Sequence, residues 1–228
     1  MFEPVEVYQK DGKVLKIFHD DCNAESPRDW DNLGTMICFH RRYNLGDPHD
    51  HGDKDEFLFA LLEEAIGDTT EAKRKLDNIR AKIDRKEFRK YGQYDKAVDD
   101  AILEIAEKCG YIILPLYLYD HGGLTMRTYP FSCPWDSGQV GWIYVGREKI
   151  RKEYGVKHVT KKVRDRVVAA LESEVKTYSQ WIEGDVYGFV LEDDKGNKIN
   201  SCWGFFGTDW KKNGIVECAG EEWRAVVN

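Results

Sequence analysis

Strand-like and helix-like segments occur in separate blocks along this chain, and that arrangement limits its fold more than any other feature. Two alternating runs flank Asp11-Gly12, a dipeptide typical of β-hairpin turns. Three helical patterns then follow one another between residues 55 and 109, before a second strand-rich block. Because parallel folds alternate strands with helices, the blocks predict an α+β fold: a single domain over residues 1–228, with a mostly antiparallel sheet and several amphipathic helices.

Hydrophobic periodicity positions the individual elements. Helical spacing predicts helices over 55–66, 69–90, 95–109, 148–154 and 160–181. β-branched and aromatic runs predict strands over 35–43, 111–119, 124–128, 139–145, 185–191 and 198–206. The highly charged segment 69–92 is a candidate for a helical insertion that projects from the core, and the C-terminal stretch fits neither pattern clearly.

Composition excludes several classes of protein. The net charge of −7 argues against broad binding to a nucleic-acid backbone, which needs an excess of Lys and Arg. The N-terminus lacks the basic and apolar segments of a signal peptide. The longest apolar stretch is about nine residues, whereas a membrane span needs roughly twenty. Six cysteines without a CxxC pair are typical of reduced thiols, so we expect a cytoplasmic protein that does not enter a membrane.

Aromatic residues make up 13% of the chain, and several lie in irregular segments with Gly and small polar residues: 25–34, 133–139, 184–189 and 201–207. Trp30-Asp31 and Trp135-Asp136 suit a flat, hydrogen-bonding ligand, because the ring stacks and the carboxylate accepts hydrogen bonds. The residues predicted to bind a ligand are Arg28, Trp30, Asp31, Asn32, Arg41, Trp135, Asp136, Ser137, Gln139 and Trp203. In the alternative interpretation, each Asp caps its own turn, each Trp fills the edge of the core, and the arginines form surface ion pairs.

Imidazole and carboxylate groups supply candidate metal ligands on either side of the Trp30 segment. The better cluster is His19, Asp20, Asp21 and His40, and a second run occupies residues 47–53. No HExxH, GxSxG, GxxxxGK[ST] or GxGxxG motif is present. A Cys133/His121 nucleophilic pair is conceivable, although most cysteines are packed and inert. The motifs therefore specify no cofactor and favour a binding protein over an enzyme.

The blocks ESPRDWDNLG, CFHRRYNLGD, LPLYLYDHGGLTM, FSCPWDSGQVGWIYV, REKIRKEYG, GDVYGF and SCWGFFG, in this order, resemble a family of bacteriophage and mobile-element proteins with no assigned activity. The blocks span most of the chain, and segment 69–92 contributes nothing to the likeness. The resemblance implies a small non-virion protein that acts in the cytoplasm of a bacterial host. By analogy, such a protein modifies host metabolism or blocks host defence.

Three functional hypotheses follow from these patterns. In the first, the Trp-rich loops bind a nucleotide-like small molecule or a host protein. Trp30 and Trp135 stack on the ligand, and Arg28 and Arg41 contact a negative group. The other predicted polar residues form hydrogen bonds along a polar edge. In the second, a metal held by the His19 cluster hydrolyses a phosphodiester or related bond. In the third, the acidic surface makes the chain a purely protein-binding inhibitor. The sequence specifies neither the ligand nor the oligomeric state.

Overall fold

The computed structural model describes residues 3–20, 24–83 and 92–227. In chain order, the elements are β1 (Glu6–Lys10), β2 (Lys13–His19), β3 (Thr35–Cys38), α1 (Lys54–Ile66), α2 (Thr69–Lys82), α3 (Gln93–Lys108), β4 (Ile112–Asp120), β5 (Leu124–Arg127), β6 (Ser137–Val145), α4 (Arg147–Tyr154), α5 (Lys161–Glu183), β7 (Val186–Asp193), β8 (Lys198–Phe206) and α6 (Ile215–Ala219). Short 3₁₀ helices lie at Pro27–Asp29 and Glu221–Ala225. The predicted α+β class, with antiparallel sheets and several helices, is confirmed.

The chain divides into two compact units, which we describe separately. The first comprises residues 1–31, 119–127 and 174–228, and the second comprises residues 32–118 and 128–173. The single domain over residues 1–228 stays a prediction. Across the described residues, no helix combines the length and the apolar character that crossing a membrane requires.

The first unit is built on an antiparallel sheet of order β1-β2-β7-β8. The predicted hairpin between β1 and β2 is confirmed: Asp11 and Gly12 have φ angles of 49° and 73°, as a tight primed turn requires. Leu15 and Phe189 on one face of the sheet pack against Trp210 and Trp223 from the C-terminal segment. This segment had no clear pattern in the sequence because α6 and the 3₁₀ helix are each only five residues long.

The second unit packs α1, α2 and α3 against β3 and β6. The core of this unit includes Phe57 and Leu61 of α1, Ile102 of α3 and Trp142 of β6. Helix α2 packs against α1 and α3 through the buried Ala72. Strands β3, β6 and β4 lie side by side in the second sheet, in the order β3-β6-β4. Residues 84–91, which the predicted insertion includes, lie outside the described residues.

Strand β3 is shorter than predicted: it ends at Cys38, and the prediction of a strand through Tyr43 is wrong. The chain turns back on itself after this strand, because the Asp47 amide donates to the Met36 carbonyl at 2.7 Å. The Asp47 carboxylate in turn accepts from the Met36 amide at 2.8 Å. Gly46, with a φ of 76°, makes this return possible. The loop that replaces the predicted strand forms one wall of a cavity.

Candidate functional site

A cavity of about 1190 Å³ lies within the second unit. Its walls come from the loop and helix start at residues 38–54, from residues 92–99 at the start of α3, and from residues 139–142 of β6. Small-molecule sites typically enclose about 300–1,000 Å³ and combine apolar walls with a few convergent polar groups. The cavity therefore has room for a ligand of nucleotide size.

Close contact between β3 and β6 forms one side of this cavity. Gly141 pairs with Cys38, and a Cβ atom on Gly141 would lie 1.9 Å from the Ile37 carbonyl oxygen. Only glycine fits at this point in the strand pair. Gln139, two residues earlier, donates from Nε2 to the Gly141 carbonyl at 3.4 Å and lines the cavity.

Aromatic and cationic groups meet in the loop after β3. The His40 and Tyr43 rings are stacked, with centroids 5.1 Å apart and an interplanar angle of 10°. The Arg42 guanidinium lies over the Tyr43 ring, 5.3 Å from its centroid. Arg41 is exposed, lines the cavity and forms no ion pair within the described part of the chain. Its guanidinium can therefore receive an anionic group without first breaking a salt bridge.

His49 contributes an unusual acceptor to the same loop. Its Nε2 lies 3.0 Å from the Cys38 carbonyl oxygen. Because a carbonyl only accepts, Nε2 carries the proton, and in the neutral imidazole Nδ1 then holds a lone pair. Nδ1 is buried and has no hydrogen-bond partner among the residues that the structure describes. Such an acceptor favours a donor group brought close to it, because a buried unpaired polar atom costs about 1–3 kcal/mol.

An ion pair between α1 and α3 lines the cavity on another side. Lys54 Nζ lies 3.0 Å from Asp99 Oδ2 and 2.7 Å from Asp55 Oδ1. Asp53 caps α1 by accepting hydrogen bonds from the Asp55 and Glu56 amides. This cap places Lys54 in the first turn of the helix. The cavity thus presents a carboxylate and an ammonium group side by side.

Burial affects the two members of this pair differently. Burial lowers the pKa of Lys54, but the hydrogen bonds and charges of Asp55 and Asp99 outweigh it, so this pKa lies above its ordinary value. Burial, together with the neighbouring Asp55 and Asp95 charges, raises the pKa of Asp99 by more than the hydrogen bond and charge of Lys54 lower it. Burial has the larger effect on the pKa of Asp99 because this side chain is 16% exposed, whereas that of Lys54 is 41% exposed. A desolvated carboxylate in a cavity wall is typical of functional sites.

An aromatic face lies on the first unit, defined by Phe18, Trp30, Trp203 and Phe206. The Trp30 ring contacts Phe206 edge-on with centroids 5.6 Å apart, and the Trp203 ring lies 6.2 Å from Phe18. Trp203 pairs with Gly188 and Phe206 with Val186, so both rings project from the same face of the sheet. A Cβ atom on Gly188 would lie 2.1 Å from the Trp203 ring, so the ring lies flat over this glycine.

The three tryptophans predicted to bind a ligand are exposed: Trp30 by 50%, Trp135 by 91% and Trp203 by 47%. Trp30 and Trp203 belong to the first unit, where the aromatic face brings them together, and Trp135 belongs to the second. Their exposure contrasts with Trp210 and Trp223, which are buried in the core of the first unit. Ligand binding by these tryptophans stays a prediction.

The polar residues of the predicted site have separate surroundings. The Arg28 side chain is 4% exposed and its Nη1 lies 3.1 Å from Glu174 Oε2, so its charge is already compensated. The Asn32 carbonyl accepts from Lys149 at 2.7 Å, and Asp31 is exposed. Asp136 accepts from the Cys133 thiol at 3.5 Å, and the Ser137 hydroxyl donates to the Cys133 carbonyl. Of the predicted ligand-binding residues, Arg41 and Gln139 line the cavity.

The candidate metal ligands are distributed over both units. His40 lines the cavity of the second unit, whereas His19 and Asp20 belong to the first. The Asp20 carboxylate accepts from the Gly204 amide at 3.1 Å, and the His19 ring lies 4.8 Å from that of Tyr187. Asp21 lies outside the described residues. No group of three or more His, Cys, Asp or Glu among the described residues is arranged to hold a metal ion.

The sequence patterns indicate His40, Arg41 and Gln139 but not Lys54 or Asp99. Residues 47–53 were considered only as a metal-binding run, and His49 is the member of that run with an unpaired buried nitrogen. Lys54 and Asp99 are 45 residues apart and lie on helices with many other charges, so their pairing has no local signal. The one available signal was the Asp53 N-cap, which places Lys54 in the first turn of α1.

Comparison with known proteins finds no matching family model, no matching curated protein and no matching solved structure. The resemblance to bacteriophage proteins therefore stays a prediction.

Proposed function

We propose that the second unit binds a nucleotide-like small molecule in its cavity. The observation that carries this proposal is the convergence of two features on a cavity of about 1190 Å³: the stacked His40–Tyr43 pair, and Arg41, which forms no ion pair with the residues that the structure describes. An aromatic ring offers a stacking surface to a base, and a guanidinium binds phosphate through paired hydrogen bonds. The same loop thus supplies recognition for both ends of a nucleotide.

The remaining polar groups suit the edge of a base or a ribose. Gln139 lines the cavity with both a donor and an acceptor on its amide. Asp99 accepts hydrogen bonds from amino or hydroxyl groups, and its desolvation makes each of these bonds more favourable. Lys54, paired with Asp99, balances this charge so that the cavity does not repel a phosphate group.

Isothermal titration with nucleoside monophosphates, the matching nucleosides and inorganic phosphate tests this proposal. Arg41→Ala removes a charged hydrogen-bond donor, so we expect monophosphate affinity to fall about ten- to a hundredfold while nucleoside affinity changes little. Tyr43→Leu weakens both ligand classes through lost stacking. Arg80→Ala, an exposed arginine on α2 away from the cavity, is the matched control.

Equal weakening by Arg41→Ala and Arg80→Ala would count against a specific phosphate contact. Absence of binding by every nucleotide at millimolar concentration would reject the nucleotide-like ligand itself. Native mass spectrometry of gently purified protein then identifies any other small molecule that the protein carries.

A second candidate function is contact with a host protein through the aromatic face. The observation that favours it is the roughly half-exposed state of Trp30 and Trp203 on a sheet that packs its core on the opposite face. Exposed aromatic residues on a rigid sheet are typical of protein interfaces. A partner that wild-type protein retains, and that Trp30→Ser and Trp203→Ser both release while Trp135→Ser keeps it, would identify this face as the interface.

The biological setting rests on the resemblance alone. On that basis, we propose a bacteriophage accessory protein that acts in the bacterial cytoplasm, with counter-defence as its role. A metal-dependent hydrolase of a phosphodiester is the alternative proposal, and hydrolysis that a chelator abolishes would support it. A protein-binding inhibitor that uses its acidic surface is the third.

A further inference from the structure

Strand β8 brings a cysteine to the face that α6 covers. Cys202 pairs with Phe189 and Asn200 pairs with Leu191, and both of these partners are buried in the core of the first unit. Directly opposite residues of paired strands share a face of the sheet, so Cys202 and Asn200 project towards the side where α6 packs. The register therefore directs the Cys202 thiol towards this helix.

Helix α6 in turn presents Cys218 to the same strand. The Asn200 side-chain amide donates to the Cys218 carbonyl at 3.0 Å, which joins the last turn of α6 to β8. Cys202 and Cys218 are both exposed, and the Cys202 thiol lies near enough to Cys218 to raise the pKa of the Cys218 thiol. Ile215 and Val216, which are fully buried, anchor the helix beneath them. The two cysteines thus lie near each other at the surface, one on a strand and one on an anchored helix.

Partial burial raises the pKa of the Cys218 thiol, and the neighbouring Cys202 thiol and the Glu217 carboxylate raise it further. Other described cysteines have different surroundings: Cys38 is buried in β3, and Cys133 lies against the Asp136 carboxylate.

We propose that Cys202 and Cys218 form a reversible disulfide, a redox modification site that links β8 to α6. The oxidant is a small-molecule disulfide such as oxidised glutathione. One cysteine thiolate attacks a sulfur of this disulfide and releases one thiol, leaving a mixed disulfide on the protein. The second cysteine thiolate attacks the protein sulfur of that mixed disulfide and releases the other thiol. Two electrons pass to the oxidant, and its two thiols take up the two protons.

The cross-link acts on the strand that carries the aromatic face. Trp203 follows Cys202 directly, and its ring lies over Gly188 on the opposite face of the sheet. A disulfide between Cys202 and Cys218 restrains the backbone of β8 beside this ring. It also closes a covalent loop that contains the chain between β8 and α6. Oxidation therefore restrains the Trp203 side of the aromatic face.

Incubation of the full chain in oxidised and reduced glutathione, followed by intact-mass measurement and peptide mapping, tests the proposal. We expect the loss of two hydrogen masses, a peptide that joins Cys202 to Cys218, and full reversal by a reducing agent. Cys202→Ser and Cys218→Ser should each lack the cross-link and instead retain one glutathione. Cys133→Ser, the control, should form it as wild type does.

Thermal unfolding of the reduced variants shows whether each serine variant is folded before its oxidation is interpreted. We also expect oxidation to raise the melting temperature of wild type and Cys133→Ser but not of the other two variants. Stable mixed disulfides without closure would overturn the proposal, and so would a cross-link that uses a different cysteine. If the disulfide forms but the melting temperature of wild type stays unchanged, the inference that it links two rigid elements, β8 and α6, is wrong.

Discussion

Replacing Glu174 by Gln tests whether Arg28 is a structural residue or is available to a ligand. Arg28 lies in the 3₁₀ helix at Pro27–Asp29, and Glu174 lies in α5. The two charges are 3.1 Å apart, and their side chains are 4% and 15% exposed. Glu174→Gln keeps the size and hydrogen-bonding capacity of the side chain but removes the negative charge 3.1 Å from the buried guanidinium.

The cost follows from this geometry. At an effective dielectric constant of about 20, unit charges at this separation attract by about 5 kcal/mol, and the cost of desolvating both offsets part of it. Removing one partner of a buried pair typically costs about 3–5 kcal/mol, because the remaining charge stays buried. We expect a loss of about 3 kcal/mol, which for a chain of this size lowers the melting temperature by about 6–12 °C.

Urea and thermal unfolding, followed by circular dichroism, measure this loss. Glu71→Gln is the matched control, because the Glu71–Arg74 pair has a similar N–O distance of 2.7 Å but lies at the surface. That substitution should lower stability far less than Glu174→Gln, because solvent screens an exposed pair. Replacing both members of the buried pair, Arg28→Met with Glu174→Leu, should recover most of the stability. If Glu174→Gln costs no more than Glu71→Gln, the Arg28 charge is solvated and the structural assignment is wrong.

Three further predictions test the sheet contacts and the titrating groups. Gly141→Ala should cost more than about 3 kcal/mol in unfolding measurements, because its Cβ meets the Ile37 carbonyl, whereas Gly138→Ala, with nothing within 4 Å, should be close to neutral. Burial, with a hydrogen bond to Asp185, raises the pKa of Tyr187 to about 12, so wild type should lose about 2 kcal/mol of stability as pH rises from 10 to 12, and Tyr187→Phe should not. Asp99, with its raised pKa, destabilises the fold when ionised, so acidification through that pKa should stabilise wild type; Asp99→Asn should abolish this gain without loss of stability at pH 7.

Local chemistry explains which parts of the candidate site were predictable. His40, Arg41 and Gln139 were named because they lie next to irregular, aromatic segments of the sequence. They line one cavity because the chain turns back on itself after Cys38. The β-like composition of residues 39–43 predicts a continuing strand instead of this turn. Asp47 makes that return by bonding to both backbone groups of Met36, a contact across 11 residues.

The sequence by itself determined the class of fold and most element positions. Alternation and the Asp11-Gly12 turn determine the first hairpin, and apolar spacing with glycine stop signals determines α1 and α3, because these are interactions between neighbours in the chain. Residue type alone could not separate the buried Trp210 and Trp223 from the exposed Trp135. Burial depends on which distant segments pack against a ring, and only the tertiary structure decides that.

The same reason explains Arg28. Its sequence neighbours, Trp30 and Asp31, suggested a ligand-binding guanidinium, but a carboxylate 146 residues away compensates its charge. Charge pairing across such a separation has no local pattern, because it depends on how α5 packs. The tertiary structure alone therefore decided that, among the described residues, Arg41 in the loop after β3 lies beside the cavity without an ion pair.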